Sequence, residues 1–186
     1  IEMNEIWFQA LTQPVAVKRT DRGAVPYPFH LASHVQVEKI KETPTADWRL
    51  EYKWDGIRGQ LIKRETGAYL WSRGEELVNH VFPEIIEMAE NLPDGTVLDG
   101  EILCWQKDES KPMAFASLQR RLGRKTVNTK LLKECPTVFM AYDILEHKST
   151  DIRAYDLRDR LKLLECIQQS CNHPCLMMDS EKKFAE

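Results

Sequence analysis

The sequence predicts an α+β fold built on an antiparallel sheet. Short period-two segments follow one another across tight turns, and the helical patterns stand apart from them instead of alternating with every strand. At 186 residues, with 42% hydrophobic and 30% charged side chains, the chain suits one domain with a substantial core. The apolar runs are too short to span a bilayer, and no amino-terminal charged-then-apolar signal is present, so neither a membrane partner nor secretion is expected. The five cysteines are an odd number, with Cys104 and Cys135 inside apolar stretches, which suits a reduced compartment better than a disulfide framework.

Residues 1–12 read as a short helix, with Ile6, Trp7, Ala10 and Leu11 on one stripe. Pro14, Gly23, Pro26 and Pro28 then mark a connecting arm, so residues 1–27 are expected to precede a compact unit over 28–186. Strands are expected at 48–54, 57–64 and 68–73, the last two joined by Glu65-Thr66-Gly67. Pro83 suits a helix start, with Ile85, Ile86, Met88 and Ala89 facing inward until Leu92-Pro93. Asp94-Gly95 turns the chain into a strand over 96–105; a helix near 115–122 and a strand at 137–145 follow. Asp156 can cap a helix whose Leu157, Leu161, Leu164 and Ile167 share a face, and Pro174 to Met178 is a last strand.

Chemistry concentrates in Lys53-Trp54-Asp55-Gly56-Ile57-Arg58. Alternation places Glu51 and Lys53 on one side of the expected strand, with Tyr52 and Trp54 packed on the other. Asp55-Gly56 is a turn dipeptide that brings Arg58 back toward the lysine. A lysine attacks phosphorus only as the neutral amine, a form that neighbouring cations favour, and arginine holds phosphate oxygens with a planar fork. A hairpin with surface charges would carry the same residues.

Asp99 and Glu101 share one face of an apolar strand, so they need partners: a metal, a ribose hydroxyl or an arginine. Gly100 between them leaves room for a ligand or another backbone. Tyr142, beside Asp143 in a further apolar strand, is either a core ring or a surface on which a base stacks. Arg73 ends the second strand of the hairpin. Net charge is −3, which excludes a uniformly basic nucleic-acid binder. Locally, Arg120, Arg121, Arg124, Lys125 and Lys130 have no acid among them and read either as a solvated surface or as a phosphate-backbone contact. Cys166, Cys171, His173 and Cys175 lack the paired spacing of a zinc site.

Taken together, these motifs resemble the adenylation domain of ATP-dependent DNA ligases, a family of covalent nucleotidyltransferases. The likeness runs from about Pro28 to Glu165 and comprises, in order, Lys53-Trp54-Asp55-Gly56-Ile57-Arg58, Ser72-Arg73-Gly74, Leu98-Asp99-Gly100-Glu101-Ile102, Ala141-Tyr142-Asp143-Ile144-Leu145 and Leu157-Arg158-Asp159-Arg160-Leu161. The resemblance implies an antiparallel-sheet covalent nucleotidyltransferase (ATP-grasp-like) fold. It also implies that Lys53 attacks the α-phosphate of ATP to form a lysyl-adenylate. Glu51 would recognise adenine, Tyr142 would stack on it and Glu101 would hold the ribose. Arg58 and Arg73 would orient phosphates, with Mg2+ offsetting charge on the leaving pyrophosphate. AMP would then pass to a DNA 5′-phosphate, and a 3′-hydroxyl would seal the nick, which makes nicked double-stranded DNA the expected partner, with roles in repair, replication and recombination.

The family continues with a metal-binding glutamate in a Glu-Gly motif, a strand with two lysines, and an oligonucleotide-binding (OB-fold) domain, none of which precedes Glu186. The fold is therefore expected to lack its carboxy-terminal strands, and this chain alone to seal nicks weakly or not at all. Tyr142 stands where phenylalanine is common, a mild change because both rings are flat. The alternatives are a messenger-RNA capping guanylyltransferase or RNA ligase, and a non-catalytic nucleotide- or DNA-binding piece. The expected location is cytoplasm or nucleoid in a bacterium and the nucleus in a eukaryote.

Overall fold

A computed structural model describes residues 23–44 and 47–179. The expected helix over 1–12 lies outside them. The strands are β1 (Ile57–Arg64), β2 (Gly67–Ser72), β3 (Thr96–Cys104), β4 (Thr137–His147), β5 (Thr150–Asp151) and β6 (Leu176–Met178). They form one sheet in the order β2-β1-β3-β4-β5, and β6 pairs with β4. Every pairing is antiparallel except β4 with β6, which is parallel. The helices are α1 (Val37–Glu42), α2 (Pro83–Ala89), α3 (Phe115–Gln119), α4 (Thr129–Glu134) and α5 (Leu157–Cys171).

Alternation on the central strands sorts the core. Leu61, Leu98, Ile102, Phe139, Ala141 and Ile144 join the inward faces of the helices in the main cluster, supplied by Ile85 and Met88, Leu118, Leu131, and Leu161, Leu164 and Ile167. Fully burying such a side chain contributes about 1.5–3 kcal/mol. The intervening residues face the other way. There Ile62, Val97 and Leu145 gather around Tyr27 at one end, while Leu103, Val138 and Met140 gather with Trp54, Trp105 and Met177 at the other. The polar residues Arg58, Gln60, Asp99 and Glu101 fall on this second face, at strand positions between the two clusters.

The sequence expectations for β1 to β4, for α2 and for α5 hold within a few residues. The segment 48–54 departs from expectation. It forms no named strand, and Leu50 alone carries an isolated bridge. β1 already has β2 on one edge and β3 on the other, so no ladder position is left beside it for a hairpin through Asp55-Gly56. Trp54 still packs, with its ring centroid 5.7 Å from that of Trp105, but Tyr52 is exposed.

Four smaller differences have local causes. α3 stops at Gln119 and passes through turns to Gly123, whose φ is +70°. α4 was not expected; the Asn128 side chain caps it by accepting a hydrogen bond from the Leu131 amide at 2.9 Å. Asp156 occupies the N-cap position of α5 without a side-chain cap bond, and Leu157 is exposed, so the buried stripe begins at Leu161. The packed region also reaches back upstream of Pro28, because Tyr27 is only 3% exposed.

Candidate active site

The site is assembled by register. β1 and β3 pair Arg58 with Glu101 and Gln60 with Asp99. On the far side of β3, Gly100 pairs with Ala141 and Asp99 with Asp143, so Tyr142 is the extra residue of a β-bulge. The bulge brings the Tyr142 hydroxyl within 3.4 Å of Asp99 Oδ1. Gly100 makes room for the protein itself. A Cβ there would lie 2.6 Å from both the Met140 carbonyl oxygen and the Phe139 ring, so the neighbour that needs the space is the strand alongside.

Arg58 is the hub. Its Nε and Nη2 donate to Asp99 Oδ1 and Oδ2 at 3.2 and 2.9 Å, a bidentate pair. Nη1 donates to the His30 carbonyl. The guanidinium stands 5.6 Å from the ring centroid of Phe29 and 5.9 Å from that of Tyr142. Burial raises the Asp99 carboxyl above its ordinary pKa, and the bond from Arg58 pulls it back. Burial also raises the Tyr142 phenol, with the Asp99 charge adding to the effect. Asp143 ties the sheet to α5 by pairing with Arg160 at 2.8 and 3.0 Å.

Glu101, half-buried, accepts the Gly56 amide at 3.1 Å. Burial raises its pKa, opposed by that amide and by the charges of Arg58 and Lys53. Gly56 is indispensable to this approach, since a Cβ would meet the Ile102 carbonyl at 2.3 Å. Lys53 itself is exposed on the extended segment before β1. Arg73 extends the same row: its amide donates to the Arg58 carbonyl at 3.0 Å while its side chain is exposed.

Arg58, Glu101 and Tyr142 thus come together, with Arg73 at the rim, while Lys53 lies exposed three residues before Gly56, with no hydrogen bond or ion pair to them among the described residues. Glu51 is exposed and paired with Arg49 at 2.5 Å; no hydrogen bond or ion pair joins it to this group among the described residues. Sequence reading missed Phe29, the His30 carbonyl and Gln60 as neighbours of the site, and nothing in their local pattern signals the role. A cleft of about 610 Å³ lies elsewhere, between Trp48 and the outer face of α5, and holds none of the motif residues except Leu157, Arg158 and Leu161.

The basic segment is corrected in part. Arg121 is fully buried, pairing with Glu84 at 2.7 Å and donating to Thr137 Oγ1 at 2.8 Å, so it cannot touch DNA. Arg120 pairs with Glu134, and Lys130 approaches the same carboxylate at 3.8 Å. Glu84, which answers Arg121, comes from α2, out of reach of a local reading, whereas Glu134 lies four residues after Lys130 on α4. Arg124 and Lys125 remain exposed, beside His80 and Glu76.

Residues 29–183 match the family model described as the ATP dependent DNA ligase domain. The chain belongs to the ATP-dependent DNA ligase family. A probable DNA ligase of Opitutus terrae is 35% identical over 137 residues, covering 73% of this chain and 13% of that protein. A DNA ligase of Archaeoglobus fulgidus is 35% identical over 127 residues, covering 68% of this chain and 22% of that protein. With a probable DNA ligase of Koribacter versatilis covered to 20%, the chain spans about a fifth or less of the length of these relatives. Among solved structures, the ligase domain of M. tuberculosis LigD superposes with a TM-score of 0.56 at 27% identity, covering 72% of this chain and 39% of that one. A mycobacterial DNA ligase D complexed with ATP and MES does so at the same score and identity. A Lig E DNA ligase, at 18% identity and TM-score 0.56 over 87% of this chain, shares the fold.

Among the described residues, no three of His, Cys, Asp and Glu converge as metal donors. Asp99 gives both oxygens to Arg58.

Proposed function

We propose that this chain carries DNA ligase adenylylation chemistry and that Lys53 takes AMP from ATP. The observation that supports this most is the convergence of Arg58, Glu101 and Tyr142, with Asp99 holding Arg58 by both guanidinium edges and Glu101 accepting the Gly56 amide three residues after Lys53. In this reading the neutral Lys53 amine attacks the α-phosphorus. The N–P bond forms as the bond to the bridging oxygen breaks, pyrophosphate leaves with that electron pair, and the lysine proton goes to solvent. Arg58 and Arg73 steady phosphate oxygens, Glu101 accepts a ribose hydroxyl, and the Tyr142 ring stacks on the base. Magnesium would accompany the ATP phosphates and offset their charge.

Transfer of AMP to a DNA 5′-phosphate, and sealing by a 3′-hydroxyl, complete the proposed activity on nicked duplex. Arg124 and Lys125 are the cations left to meet a DNA backbone. The deciding experiment incubates the chain with ATP and magnesium and measures intact mass, then maps the adduct by peptide analysis. One AMP on Lys53, absent in Lys53→Ala, is expected. Labelling by GTP instead would point to capping chemistry, and an adduct on another lysine would remove Lys53 from its role.

A further inference from the structure

The segment from Ala24 to His30 crosses the polar face of the sheet, held there by a socket that no strand pairing supplies. Gln60, wholly buried, accepts the Tyr27 amide at 2.8 Å and donates to the Tyr27 carbonyl at 3.0 Å. The Tyr27 hydroxyl donates to Glu146 Oε2 at 2.9 Å, and Glu146 is itself held by Arg64 at 2.7 Å. The Arg153 guanidinium lies 4.1 Å from the Tyr27 ring centroid, and Trp71 Nε1 donates to the Ala24 carbonyl. Pro26 and Pro28 flank Tyr27, fixing φ at both positions and holding the residues before them extended. Anchoring Tyr27 therefore sets where the next two residues lie. Those residues meet Arg58, Phe29 with its ring and His30 with its carbonyl, on a guanidinium whose other edges are taken by Asp99.

We propose that Tyr27 is a positioning residue of the nucleotide site: its socket fastens the 24–30 strap, and the strap orients Arg58 toward the bound nucleotide. The role in catalysis rests on the adenylylation reading; the orientation of Arg58 does not.

The test uses the whole chain as wild type, Tyr27→Phe and Tyr27→Ala. Three quantities are followed: the Arg58 Nε–Hε resonance without nucleotide, the single-turnover rate of AMP adduct formation against ATP concentration, and the melting transition. Tyr27→Ala is expected to shift the Arg58 resonance and to lower the maximal adduct rate at saturating ATP on the order of tenfold to a hundredfold, as a misplacement of about 1 Å does. Both variants keep the Gln60 clamp, which holds the backbone of residue 27; Tyr27→Phe also keeps the ring against Arg153 and is expected to recover most of that rate. An unmoved Arg58 resonance in a cooperatively melting Tyr27→Ala overturns the proposal, because a merely structural strut would lower the melting temperature alone. If Tyr27→Ala does not fold, Phe29→Ala, which leaves the socket intact, must shift the same resonance or the proposal fails. If the wild type takes no AMP, the adenylylation reading fails, and the Arg58 resonance alone then decides whether the strap orients the arginine.

Discussion

Asp99 and Glu101 stand two residues apart on the same face of β3, yet their surroundings divide the work between them. Asp99 is 6% exposed and bonded to Arg58 and Tyr142, so it maintains the site, whereas Glu101 makes one hydrogen bond among the described residues, to Gly56, and keeps capacity to accept another. Glu101→Gln retains an acceptor for the Gly56 amide and loses only the charge. It is expected to slow AMP adduct formation roughly 10- to 100-fold, the worth of about 1.5–3 kcal/mol for a hydrogen bond to a charged group, with little change in melting temperature. Full activity in that variant would remove Glu101 from the ribose. Arg121 carries the opposite expectation. It is wholly buried and its partner Glu84 is 21% exposed, so Arg121→Ala strands a partly buried carboxylate and opens a void. A loss of about 3 kcal/mol in denaturant unfolding is expected, the lower end of the range for breaking a buried pair. A variant as stable as the wild type would show that the pair is dispensable.

At the scale of elements, β4 organises the molecule: it pairs with β3, β5 and β6 and supplies Tyr142 through a bulge. Its last residue, His147, opens a tight turn in which Lys148 and Ser149 have φ of +48° and +61°. Among the described residues His147 Nδ1 is buried without a hydrogen-bond partner, and burial, helped by the Lys148 charge, lowers the imidazole pKa below its usual 6.5. The unfolded chain therefore takes up this proton at a higher pH than the folded one. Stability from this group is complete above about pH 6.5 and is lost as pH falls through that value toward the folded pKa. Melting temperature measured from pH 7.5 down to pH 5.5 should fall less steeply in His147→Gln than in wild type; parallel curves would exclude this histidine as the cause. The strands were legible because alternation and turn residues such as Glu65-Thr66-Gly67 act within a few positions. The segment 48–54 alternates equally well and still forms no strand, because a strand needs a free neighbour and β1 has none to offer.

Across the whole molecule, the sheet separates two jobs. One face carries the continuous core under the helices, and the other carries the polar site between two smaller apolar clusters, crossed by the Ala24–His30 strap. Under the proposed function, a net charge of −3 leaves any attraction for DNA to local features, and Arg124 and Lys125 are exposed cations beyond the ion-paired set. Replacing both by Ala should reduce the salt dependence of nicked-duplex binding by up to about 1.8 in slope, near 0.9 per phosphate contact. Arg121→Ala should leave that slope unchanged in the folded protein. A slope unaltered by the double replacement would leave this surface as solvated charge.

By itself the sequence determined the residue types of the site and their order along the chain. It also determined the strands β1 to β4 and the buried stripe of α5 from Leu161 onward, because periodicity, turn chemistry and motif spacing all act over short stretches of chain. Tertiary structure alone decided which partners those residues meet. Glu84 buries Arg121 from 37 positions upstream in the sequence, a bulge turns Tyr142 toward Asp99, and Gln60 reaches back to clamp Tyr27. Each of these depends on which strands lie side by side once the sheet closes. A charge or ring has no memory of its sequence neighbours when a nearer partner is brought within about 3–4 Å by the fold, where the interaction is strongest.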